Sequence, residues 1–179
     1  MNLSGVIIWL RQAAWALALI LVLSVLLPLI FGYAVGIPSG QVLALVGSTF
    51  ILQANGAFTG AALGMEPWEI LVIMILVELG AVLGILAICD TFALTSERVR
   101  NFLEKTEKSM QKYPWVSKYG ATSLIILPAL PILGLYASVV IAWILRWNRA
   151  QSVLFITIGW IGAVIFILLL AFGFISLVF

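Results

Sequence analysis

The sequence predicts an all-α integral membrane protein with three spanning helices, two opposed re-entrant hairpins forming an inverted repeat, and one interfacial amphipathic helix. Three observations point there. Of 179 residues, 64% are hydrophobic and 9% charged, against roughly 25% charged in soluble domains. Two of the long apolar stretches are broken near their centres by proline, glycine or amide residues. The nine Lys and Arg gather on one membrane face only if those two stretches turn back. A transmembrane barrel would instead show roughly 10-residue alternating segments. The polar gaps are too short for a soluble domain, so 1–179 reads as a single membrane domain.

Residues 13–35 carry no charge and reach about 34 Å as helix, enough to span. This stretch is too long for a signal-peptide core and is expected to be a retained helix, with a modest kink at Pro28. After the turn-like Gly36 to Gly40 comes 41–64, apolar but interrupted by Gly47, Gln53, Asn55, Gly56 and Gly60. Taken alone, it fits a spanning helix with glycine packing faces or a hairpin whose tip is Gln53-Ala-Asn55-Gly56. Glu66-Pro67 marks the start of a spanning helix over 67–89, with proline in the first turn and Glu66 and Glu69 at the positive end of the dipole. Gly80 and Gly84 in that helix admit another helix closely.

The polar stretch 95–113 repeats Val99, Phe102, Leu103, Thr106 and Met110 at helical spacing, with Thr95 or Ser96 as cap and Tyr113-Pro114 as stop. It is expected to lie on the membrane surface, offering Arg98, Arg100, Lys105, Lys108 and Lys112 to anionic headgroups. A solvated connector helix with pairs such as Glu104 and Lys108 fits the same spacing. In 121–145, Pro128, Pro131 and Gly134 fall where a spanning helix would be deepest. Each proline removes a backbone donor, and broken backbone at that depth survives only where protein or trapped water satisfies it. The last apolar helix covers 151–176.

Charge parity decides between the alternatives. If all five apolar runs crossed, Arg11, Arg146 and Arg149 would lie on one side and the six cations from Arg98 to Lys118 on the other, against the preference of Lys and Arg for the cytoplasmic side. With 41–64 and 121–145 re-entrant, all the cations share the cytoplasmic face of a plasma (inner) membrane. The two hairpins then enter from opposite faces and meet near the midplane, as in inverted-repeat transporters. Val77-Glu-Leu-Gly-Ala-Val82 echoes Gly159-Trp-Ile-Gly-Ala-Val164 at an offset of 82 residues, a short match in keeping with such a repeat.

The chain has no histidine and one cysteine, Cys89, so common zinc, haem and thiol-pair sites cannot be assembled and no cofactor is expected. A net charge of +2 gives no footprint for nucleic acid. No nucleophile and base pair or phosphate loop is recognisable, which argues against an enzyme. Glu78 is the one carboxylate deep in an apolar helix, and burying its charge costs at least about 2.5 kcal/mol. It is either a proton carrier or a protonated structural carboxyl bonded to Gln53, Asn55 or a hairpin carbonyl. Gln53 and Asn55 satisfy hairpin backbone or hold a substrate headgroup. Gly56, Gly60, Pro128, Pro131 and Gly134 shape the hairpins. Asp90 is expected to pair with Arg98 or Arg100, and Trp160 to pack against the hairpins.

NGAFTGAALG, a helix with a mid-membrane carboxylate, an amphipathic linker, KYG and LPALPILGLYASVVIAWIL together resemble the putative small multidrug export proteins, related to the DedA/VTT superfamily, over roughly 45–165. The resemblance implies two opposed re-entrant hairpins and movement of lipid-linked or amphiphilic molecules, coupled to protons. The first hairpin of the superfamily pattern carries Glu and Arg followed by a proline; the matching positions here are Gln53, Asn55 and Thr59, and the second hairpin lacks the arginine found in many relatives. The resulting expectation is a small transporter or lipid/amphiphile translocase among membrane lipids, assembled as a homo-oligomer. The alternative is a transport-inactive accessory subunit of a larger membrane complex.

Overall fold

The computed structural model describes residues 3–110, 120–125 and 134–178, and these are helical with no strand among them. Helix α1 (Leu3–Leu21) passes through a five-residue π segment (Val22–Leu26) into α2 (Leu27–Val35), making one long rod that starts before the expected 13. The π segment lies directly before buried Pro28, and one widened turn is how a helix absorbs a residue with no N–H and a bulky ring. Gly36, at φ +87°, ends the rod in the left-handed conformation that glycine tolerates.

Helix α3 (Ser39–Leu52) stops at Gln53, whose φ of 55° and ψ of −131° no helix accommodates. A 3₁₀ turn (Gln53–Gly56) and a short α4 (Ala57–Ala62) follow. A Cβ on Gly56 would press the Thr49 backbone at 3.0 Å, so the turn lies flat against α3. Gln41 Nε2 donates to Leu63 O at 3.4 Å; the first and last residues of the segment are therefore neighbours.

Helix α5 (Pro67–Thr95) opens with the expected acidic start: Glu66 N–H donates to Glu69 Oε2 at 2.9 Å, half of a reciprocal capping box. It overruns the predicted end at 89 and reaches Ser96, which caps α6 (Glu97–Met110) by accepting from Val99 N–H. Leu103 is buried and Phe102 points outward. A 3₁₀ segment (Gly120–Ile125), α7 (Gly134–Ile144) and α8 (Arg149–Val178) complete the chain. The expected helix stop at Tyr113-Pro114 and the prolines Pro128 and Pro131 lie outside the described residues, as do Lys112 and Lys118.

Side-chain contacts order the long helices. Gly80 packs on Ser24 and Leu23, Gly84 on Ile20, and Phe31 meets Trp68 edge-on with ring centres 5.9 Å apart; α1–α2 thus runs antiparallel to α5. Asp90 bonds Arg149, and Trp68 and Phe172 line one groove, so α8 is antiparallel to α5 as well. The glycine pair does admit a neighbour closely, as its spacing predicts. One end of the bundle therefore holds Arg11, Arg98, Arg100, Arg146 and Arg149, and the opposite end holds Ile37, Leu63 and Glu66.

Four helical stretches are long and apolar enough to cross a membrane, Leu10–Val35, Ser39–Ala62, Pro67–Leu94 and Arg149–Gly173; the second is the one interrupted at Gln53. Exposed Trp15, Leu21, Ile30, Leu154, Phe166 and Leu169 give the bundle an apolar outer surface, the covering that lipid requires. The core gathers Ile70, Ile73, Met74 and Val77 of α5 with Leu45, Leu135, Ile156 and Trp160.

Candidate functional site

The site is built around Glu78, which helix α5 carries into the centre of the bundle with 0% of its surface exposed. Its partner is Thr157 on α8, whose hydroxyl donates to the carboxyl group and lies 3.2 Å from each oxygen. That differs from the expected Gln53, Asn55 or hairpin carbonyl. The long helix α8 faces α5 along its length and presents Thr157 at that level, whereas the first broken segment spends its amide elsewhere.

Gln53 Oε1 accepts from Leu135 N–H at 3.3 Å. Leu135 is the second residue of α7, whose N-terminal amides have no helical acceptors of their own. The positive φ at Gln53 costs on the order of 1–3 kcal/mol, and it turns the amide toward that need. Beside it, Tyr136 Oη donates to Phe50 O at 2.6 Å, supplying an end-of-helix carbonyl of α3 with a donor. Two bonds, both donated from α7, therefore tie the end of α3 to the start of α7. Asn55 is half-buried in the same turn, and Gly56, Gly60 and Gly134 are buried. A Cβ on Gly60 would meet Ile70 Cγ1 at 2.6 Å, which makes Gly60 the point where α4 closes on α5.

Helix α8 touches both broken segments. Gly159 packs against the Ile125 carbonyl, and Trp160, fully buried, belongs to the same apolar cluster as Leu124 and Leu135, as its expected packing role requires. Trp160 stands opposite Glu78 in the 82-residue echo, and both are completely buried. Thr157 also lines an open groove of about 600 Å³ on the outer face, with Leu79, Leu83, Val153, Leu154 and, toward the cationic end, Arg149. The buried carboxyl is thus one hydroxyl away from an open, mostly apolar groove.

At the cationic end the expected partner of Asp90 is corrected. Asp90 Oδ2 accepts from Arg149 at 2.7 Å and Oδ1 from Trp143 Nε1 at 2.9 Å, because α7 and α8 both pack against α5. Thr157, Ser24, Tyr136 and Trp143 were not singled out by sequence; hydroxyl and aromatic residues are unexceptional in apolar helices, and their partners lie 53 to 86 positions away. Among the described residues no group of three or more acidic or thiol side chains could hold a metal.

A family model described as putative small multi-drug export protein matches residues 34–166, more than two thirds of the chain and including Gln53, Glu78, Asp90, Arg149 and Thr157. Neither the comparison with curated proteins nor that with solved structures gives a match.

Proposed function

The chain belongs to the putative small multi-drug export protein family, and from that premise we propose that it is a small transporter or translocase of amphiphilic molecules, coupled to protons through Glu78. The observation that carries this reading is the buried Glu78 carboxyl, bonded to Thr157 of α8, the helix that also packs on the Gln53 turn and on α7. A carboxylate at membrane depth is costly and is kept where it works. Broken helices at midplane are how secondary transporters expose backbone to cargo and let one part of the bundle rock against the other.

In this reading 41–64 and 121–145 are re-entrant from opposite faces, and Arg11, Arg98, Arg100, Arg146 and Arg149 mark the cytoplasmic side of a plasma membrane. Gln41 bonded to Leu63 supports the first return, and α7 running from Gln53 back to Asp90 supports the second. Cargo enters along the groove between α5 and α8, and Glu78 takes up a proton as Thr157 turns toward it. No catalytic role is assigned to any residue. The outward Ile51, Leu52 and Phe58 near the broken end of α3 call for lipid or a second copy beside them, so the working unit is a homo-oligomer.

The test is transport in proteoliposomes under a proton gradient, with ethidium as a cationic amphiphile and a fluorescent phospholipid as the lipid probe. The native chain should move at least one of them, and Glu78→Gln should abolish that movement; unchanged movement would remove Glu78 from the mechanism. A second reading, an accessory subunit without transport, is favoured by Gln53 being committed to the Leu135 backbone. Native mass in mild detergent separates the two, since a homo-oligomer supports the transporter and fixed foreign partners support the subunit.

A further inference from the structure

The cationic end of the bundle holds a cavity that the transport reading does not use. It encloses about 280 Å³ between the last turns of α5, the α7–α8 turn and the start of α8, and its wall includes Asp90, Trp143, Arg146, Trp147, Arg149 and Ser152. Among the described residues of the wall, Arg146 and Arg149 supply two guanidinium groups and Asp90 one carboxylate.

The carboxylate is fully occupied within the wall, one oxygen by Trp143 and the other by Arg149. Its role is to orient Arg149. Two polar atoms remain without partners, Trp147 Nε1 and Ser152 Oγ, and Ser152 is 3% exposed. An indole N–H can only donate and a hydroxyl can donate, so what satisfies them is an acceptor. Arg146, at φ 51°, holds the left-handed position that closes the α7–α8 turn, where Trp147 N–H reaches Ala142 O. Glycine is the ordinary occupant there, and arginine is kept at a cost in backbone strain.

We propose that this cavity binds a phosphate-type oxyanion, held by Arg146 and Arg149 with Trp147 and Ser152 as neutral donors. Guanidinium pairs suit tetrahedral oxyanions because each presents two parallel N–H groups. Arg149 also lines the apolar groove that leads to Thr157, roughly 12 Å farther along α8 at 1.5 Å per residue. An amphiphile with its oxyanion at Arg149 would lay its chain in that groove, while a free anion would occupy the cavity alone. The proposal stands whether or not the protein transports anything.

The experiment uses the full chain in detergent, with inorganic phosphate as one probe followed by calorimetry and phosphatidic acid as the other followed by native mass spectrometry. Arg146→Gly suits the left-handed turn better than arginine does, Ser152→Ala removes only a hydroxyl and Trp147→Phe keeps an aromatic ring against the core, and helical circular dichroism checks that each variant folds. Each should weaken binding by at least about tenfold, the loss expected for a hydrogen bond to a charged group. Tyr33→Phe, exposed at the opposite end of the bundle, should leave binding unchanged. Loss of phosphatidic acid binding alone assigns a lipid headgroup, and loss of both assigns the free oxyanion too. Absence of binding by either probe, or variants that bind as the parent does, overturns the proposal and leaves the cavity to water.

Discussion

Glu78 and Thr157 form the smallest unit on which the transport reading rests. Removing the hydroxyl with Thr157→Val keeps the volume and leaves the carboxyl without the donor seen here, so transport should fall yet survive, whereas Glu78→Gln removes the titrating group and should end it. Measuring both in the same proteoliposomes separates positioning from coupling; equal loss in the two variants would show that the hydrogen bond, not the proton, is what matters. Glu78 was legible in the sequence because a lone carboxylate in an apolar helix is expensive and conspicuous. Thr157 was not, because a threonine costs an apolar helix little and betrays no partner. Asp90 shows the same limit from the other side: proximity along the chain favoured Arg98 and Arg100, and the packing of α8 against α5 gave it Arg149 instead.

Elements add contacts that no single residue reveals. The α1–α5 seam depends on Gly80, where any Cβ would strike Ser24 and the backbone beneath it. Gly80→Leu should therefore destabilise the bundle by about 1–3 kcal/mol or more, read as an earlier thermal transition in detergent. Ser24→Ala removes only the bond from Ser24 Oγ to Val77 O at 3.0 Å and should cost about 0.6 kcal/mol, the average for such bonds between membrane helices. A larger loss for Ser24→Ala than for Gly80→Leu would mean that polarity, not close approach, holds the seam. The small-xxx-small spacing announced this contact, and Glu66-Pro67 announced the start of α5, since both follow from local chemistry. The π segment before Pro28 was less legible; the proline foretold a local irregularity, and the widened turn is the form it takes. The break at 53 was announced by its glycines and amides, but its tie to Leu135 depends on a strained φ that sequence does not display.

At the scale of the whole molecule, Arg11, Arg98, Arg100, Arg146 and Arg149 at one end and Glu66 with Glu69 at the other describe a polarity that the order of charges along the chain foreshadowed. The charge count pointed to three crossings rather than five, whereas four helical stretches are long and apolar enough to cross, the extra one being the interrupted Ser39–Ala62. Self-association belongs to this scale too: outward Ile51 and Leu52 near the end of α3 should be covered in an oligomer, so Ile51→Lys should shift native mass toward the monomer, and an unchanged mass would place that surface against lipid. The fate of the interrupted Ser39–Ala62 stretch carries the rest of the account, because the opposed hairpins, the meeting at Gln53 and the access to Glu78 all depend on it. Single cysteines at Ser39, Gly64 and Asn148, introduced into a Cys89→Ser background and labelled from one side of intact cells with a membrane-impermeant maleimide, test this most directly. With 41–64 re-entrant, Ser39→Cys and Gly64→Cys should label together from outside while Asn148→Cys is protected. Labelling of Ser39→Cys and Gly64→Cys from opposite faces would show that the stretch crosses the membrane and would contradict the re-entrant path.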